Sequence, residues 1–119
     1  MRAVTGAGLD LCCVAAFVVI GRASHAEGET LAGLAGTAWP FLAGLAAGWL
    51  ATRAWRRPAA LARSGVGVWL ATVALGMLLR AVSGQGVVLA FVFVALAFLG
   101  LFMLGWRLLA GRFAASAAG

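Results

Sequence analysis

Three acids, one histidine, two cysteines and nine arginines are nearly all the reactive chemistry this 119-residue sequence carries. Asp10 stands out among them, because it falls inside the apolar stretch Ala3–Gly21. Counting twelve residues inward from Arg22, at 1.5 Å per helical residue, places it roughly 18 Å down, near the bilayer middle. An ionised carboxylate in hydrocarbon costs about 2.5–3.5 kcal/mol on insertion scales. Asp10 is therefore expected to face protein or water, or to be paired. Two roles follow: a proton- or cation-binding carboxylate, or a structural anchor bonded to an Arg or backbone group of a neighbouring helix. Arg53 and Arg107, at the same-side ends of the second and fourth apolar stretches, are the candidate partners.

A second group gathers on the opposite side. Arg22, His25 and Arg80 are expected together near Glu27 and Glu29, as a cluster suited to an anionic headgroup or solute. The plainer alternative is that these side chains snorkel to the surface and cap helix ends. His25 has no second ligand in view, so neither zinc nor haem is expected, and no cofactor is assigned. Cys12 and Cys13 are adjacent, too close along a helix for an ordinary disulfide, and read as small packing residues. No Ser–His–Asp order, phosphate-cradling loop or helical carboxylate pair is present, so the chain reads as non-enzymatic.

The elements that must position these residues follow from composition. AVILMFWYC residues make up 65% of the chain and charged residues 10%, against roughly 45–50% and 25% in soluble domains. A water-soluble fold of this size cannot bury that much apolar surface, and disorder needs the opposite balance. Charge-free runs extend over 30–52 and 81–106, with a shorter one over 64–79. A bilayer core about 30 Å thick takes roughly 20 helical residues. The expectation is an all-α, polytopic membrane protein: one compact bundle of four transmembrane helices in a single domain, 1–119. The helices are expected at about 3–22, 30–53, 64–82 and 87–108, followed by a frayed tail, 109–119. The first is read as a span rather than a cleaved leader, since Asp10 interrupts it.

Arginine placement sets the expected orientation. Arg2, Arg53, Arg56, Arg57, Arg63, Arg107 and Arg112 fall on one side, Arg22 and Arg80 on the other. The positive-inside rule then puts both termini in the cytoplasm, in the cell membrane. The +6 net charge is thereby topological; a nucleic-acid partner would need a clustered basic face with aromatics. Membrane lipids are the expected partners, with anionic headgroups near the 53–63 loop.

Helices in lipid associate by close contact rather than by apolar burial. Gly36, Pro40, Gly44 and Gly48 recur every four residues and make one groove on the second helix, for packing within the monomer, for a homodimer seam, or for a path lined by freed backbone. Pro40 removes a hydrogen bond and should expose a carbonyl near Gly36. Phe91, Phe98 and Phe102 lie along one side of the fourth helix, to fill such a groove or face lipid. The tryptophans are expected mainly in an interfacial belt.

The whole pattern resembles a family of small prokaryotic membrane proteins catalogued only as a domain of unknown function. The resemblance rests on the early acid and on Gly21-Arg22-x-x-His25, joined by Trp39-Pro40-Phe41, Gly48-Trp49, Gly76-Met77-x-x-Arg80 and Gly105-Trp106-Arg107, across roughly residues 8–110. It implies four helices and a membrane location and carries no activity. Small multidrug-resistance transporters share the outline of four short helices with one acid in the first; their acid is a Glu and their other motifs are missing here. The leading functional expectation is a homo-oligomeric transporter or ion pathway using Asp10. The alternatives are an accessory or scaffold subunit of a membrane complex, with an unidentified membrane partner, and a lipid-headgroup-binding protein.

Overall fold

The computed structural model describes residues 1–24 and 30–118, the side chains of Ser24 and of 114–118 excepted. Four helices follow one another: α1 (Ala3–Ser24), α2 (Leu31–Thr52), α3 (Gly67–Val82) and α4 (Leu89–Ala118), with a π-helical turn at Leu61–Val66 running into α3. Each, with that turn counted into α3, is long and apolar enough to cross a membrane. The bundle has two ends. The terminal end carries both chain termini and the 53–60 connection; the far end carries the α1–α2 connection and the Ser83–Val88 turn.

Local chemistry sets the boundaries. Thr30 caps α2, its hydroxyl accepting the Gly33 amide at 3.0 Å, which satisfies one of the orphan donors of the first turn. Arg53 ends α2 in the left-handed region with φ 53°, the one described non-glycine residue with positive φ. Its amide and that of Ala54 fold back onto Leu50 and Trp49 carbonyls, closing the last turn. At the far end Gly84 and Gly86 hold φ 83° and 85°, which only glycine adopts without strain. They make the tight turn expected from Ser83-Gly84-Gln85-Gly86.

α2 and α3 form the closest pair, and the glycines explain why. A Cβ on Gly44 would stand 2.9 Å from the Thr72 carbonyl oxygen, and one on Gly48 3.0 Å from Val68 Cα. Their backbones touch directly, so the small-residue groove packs within the monomer. Gly36 differs: nothing lies within 4 Å of its Cβ position. Its carbonyl is the one Pro40 cannot bond, and Gln85 Nε2 from the α3–α4 turn donates to it at 3.0 Å. The expected freed carbonyl thus ties two elements together. A second notch sits at Gly76, filled by the Phe41 ring.

Two boundaries differ from expectation. α4 runs on through residues 109–118 as helix where a frayed tail was expected. Leu108, Leu109 and an alanine-rich stretch are strong helix formers, and Gly111 alone is too weak a break. The third span begins at Leu61 rather than residue 64, because the Gly65 amide bonds the Ala60 carbonyl at 2.9 Å and adds a π-helical turn.

These contacts assign different fates to two glycines of one helix. Gly44→Ala must displace the α3 backbone and is expected to lower stability by about 1–3 kcal/mol. Gly36→Ala is expected to be neutral or stabilising by up to about 1 kcal/mol. Thermal unfolding in detergent distinguishes them.

Candidate functional site

Asp10 is fully buried. It lies seven residues into α1, about 10 Å from that helix's start, level with the last turn of α2. The structure thus places it toward the terminal end of the bundle. Its partner is Arg107 of α4, itself 1% exposed. Arg107 Nη2 stands 2.7 Å from Oδ2 and Nη1 2.9 Å from Oδ1, a bidentate pair. Arg53 is exposed and caps α2 instead, so the expected choice between Arg53 and Arg107 resolves to Arg107. The reason is reach: the left-handed cap at Arg53 turns the chain out of the bundle, whereas Arg107 sits on the inward face of α4.

Two tryptophans complete the site. Trp49 Nε1 donates to Oδ2 at 2.8 Å and Trp106 Nε1 to Oδ1 at 2.9 Å. Each carboxylate oxygen therefore accepts one indole and one guanidinium N–H. A carboxylate offers about four lone-pair positions, and all are taken. The rest of Arg107 is also engaged: Nε donates to the Pro58 carbonyl at 2.8 Å and Nη1 to the Met103 carbonyl at 3.1 Å. Its guanidinium carbon lies 4.3 Å from the Trp106 ring centre, a cation–π contact. Among the described residues no buried side-chain polar atom lacks a partner.

Neighbouring small residues make room for this clasp. A Cβ on Gly65 would stand 2.9 Å from Arg107 Cδ, and one on Gly6 2.6 Å from Pro58 Cβ. The π-helical turn thus presents a bare backbone where the arginine stem passes. Ser64, buried beside it, donates to the Arg57 carbonyl at 2.6 Å and anchors the 53–60 connection. Trp49 and Trp106, expected near an interface, also turn their indole nitrogens into the bundle. Trp69 likewise donates inward, to the Leu96 carbonyl at 3.0 Å. The available signal was proximity: Trp106 adjoins Arg107, and Trp49 ends the helix facing α1.

The far end holds a different arrangement. A cavity of about 750 Å³ opens there between α1 and α4. Arg22 and Arg80, two members of the expected cluster, both line it, with Thr37, Gln85, Phe91 and Phe98 among its walls. Arg22 Nη1 donates to Thr37 Oγ1 at 3.0 Å. Arg80 donates through Nε to the Gly86 carbonyl at 3.2 Å and through Nη1 to Gln85 Oε1 at 3.1 Å. Its guanidinium also sits over Phe91, 4.7 Å from the ring centre. His25, the third expected member, and Glu27 and Glu29 lie outside the described residues. Phe17 closes the cavity floor, with Phe91 at 5.6 Å and Phe98 at 5.7 Å between ring centres. Cys12 and Cys13 are free thiols, and the described residues contain no cluster of potential metal ligands.

A family described as protein of unknown function, DUF3054, matches residues 7–110, and the chain belongs to it. No curated protein and no solved structure matches the chain. The matched span contains both the Asp10 clasp and the two cavity arginines.

Breaking a buried ion pair leaves an uncompensated charge, so Arg107→Ala is expected to cost about 3–5 kcal/mol of stability. Arg53→Ala, at an exposed cap, is expected within about 0.5 kcal/mol of wild type. Trp49→Phe and Trp106→Phe each remove one hydrogen bond to a charged group and are expected to cost about 1.5–3 kcal/mol. Unfolding curves in one detergent provide the ranking.

Proposed function

We propose that this is a non-enzymatic, multi-pass protein of the cell membrane that binds an anionic group in its far-end cavity. The observation that carries the reading is the meeting of Arg22 and Arg80 on one cavity whose other walls are mainly aromatic and aliphatic, with Thr37 and Gln85 beside the arginines. Pockets of about 300–1,000 Å³ lined by apolar surface with a few placed polar groups are the usual form of small-molecule sites. Guanidinium groups supply the planar donors that phosphate and carboxylate favour.

Orientation is part of the proposal. Six arginines at the terminal end, Arg2, Arg53, Arg56, Arg57, Arg63 and Arg112, are exposed, and the positive-inside rule makes that end cytoplasmic. The cavity then opens on the outer side, and the cytoplasmic arginines meet anionic lipid. A transport reading draws on a separate feature: the Asp10–Arg107 pair closes the end of the bundle opposite the cavity. With its lone pairs filled, Asp10 serves that reading as the lock of a closed end rather than as an open cation site. An accessory role, or a homo-oligomer, draws on exposed apolar faces such as that of Phe93, Leu101 and Leu108 on α4.

Glycerol phosphate titrated into the detergent-solubilised protein and followed by calorimetry tests the binding reading. Saturable binding is expected, weakened about tenfold or more by Arg22→Ala with Arg80→Ala, given about 1.5–3 kcal/mol per hydrogen bond to a charged group. Binding unchanged in that double variant contradicts it. For orientation, Ser83→Cys is expected to react with an impermeant maleimide in intact cells, and Arg56→Cys only after permeabilisation; the reverse pattern overturns the topology.

A further inference from the structure

We propose that the occupant of the far-end cavity is one anionic lipid, which enters sideways between α1 and α4 and lays an acyl chain against Phe17, Phe91 and Phe98. The inference rests on the anion-binding reading above and adds the source of the anion and its route.

Connectivity gives the route. At the far end the chain links α1 to α2 and α3 to α4. Among the described residues no connection ties α1 to α4 there, yet these two helices supply most of the cavity wall. Their fixed junction is at the other end, where Asp10 of α1 grips Arg107 of α4. Between lies the phenylalanine floor, and beyond it both helices line the gap that the cavity makes. The apolar residues that line this gap are open to the surroundings: Ile20 is 51% exposed, Val94 55% and Val88 67%. A membrane around this gap presents acyl chains to it directly.

Charge and polarity give the occupant. The cavity's cationic groups, Arg22 and Arg80, come from α1 and α3 at its far end. The wall below them, on α1 and α4, is aromatic and aliphatic. This separation of a cationic rim from an apolar slot matches an anionic head joined to a hydrocarbon chain. A wholly polar solute would leave the phenylalanine wall without a partner. The volume, about 750 Å³, exceeds what a phosphate alone fills. A lipid already in the bilayer slides its chain into the slot without passing through water, so the head arrives at high effective concentration.

The test compares three probes on the solubilised protein by native mass spectrometry: lysophosphatidylglycerol, lysophosphatidylcholine and glycerol phosphate. Val94→Trp narrows the slot at a half-exposed position that leaves the core untouched, and Arg22→Ala with Arg80→Ala removes the charge. The expected result is retention of lysophosphatidylglycerol about tenfold or more above both other probes, lowered about tenfold by either variant. Glycerol phosphate bound as well as the lysolipid, and unaffected by Val94→Trp, overturns the lipid assignment while the anion-binding reading stands. No binding of any probe overturns both. Equal retention of the two lysolipids, or retention insensitive to both variants, marks lipid held around the belt and overturns the proposal.

Discussion

The structure depends on one buried ion pair. Asp10 and Arg107 are 97 residues apart in sequence, on helices that would otherwise share little beyond an aromatic seam. An apolar bundle in lipid gains nothing from burying more hydrocarbon, so packing and polar contacts must specify its arrangement. A carboxylate and a guanidinium away from water have few low-energy placements besides facing each other. Around them the sequence completes the set: two indole donors for the carboxylate, two carbonyls for the guanidinium, and a bare glycine where the arginine stem passes. The partners come from α1, α2, α4 and the 53–60 connection, so one pair fixes these four elements together.

This constraint acts at one end only. α2 and α3 are joined by backbone contact at Gly44 and Gly48, and α1 and α4 by the clasp. Toward the far end the contacts become a phenylalanine cluster and then a cavity flanked by Arg22 and Arg80. The bundle is closed at the clasp and holds a cavity toward the other end. Membership of the DUF3054 family leaves the chemistry of that space to be read from these residues.

Much of this was legible in the sequence, and the reason is the cost of charge in hydrocarbon. The gaps between arginines located four helices, and the isolated position of Asp10 demanded a partner. Pro40 announced a free carbonyl at Gly36, although Gln85 as the donor to it could not be read from helix periodicity. Arg22 and Arg80 were grouped from topology alone. Arg53 and Arg107 were equivalent by distance along the helix; only the left-handed cap at Arg53 separates them. The bonds from Trp49 and Trp106 to Asp10 could not be read from their placement near helix ends, which speaks only to depth in a membrane. The π-helical turn at Leu61–Val66 left no compositional trace. The 109–118 stretch was read by its small residues as frayed, when alanine content favours helix.

The most direct measurement of the central claim is a double-mutant cycle on Asp10 and Arg107, read as unfolding free energy in a single detergent. Asp10→Asn and Arg107→Gln are each expected to destabilise strongly, because each leaves a buried polar or charged partner unmatched. With both changed, the loss is expected to be no greater than the larger single loss, a coupling of about 2 kcal/mol or more within the range for buried charge pairs. Losses that simply add would contradict the account, and would mean that Asp10 and Arg107 contribute independently to the fold.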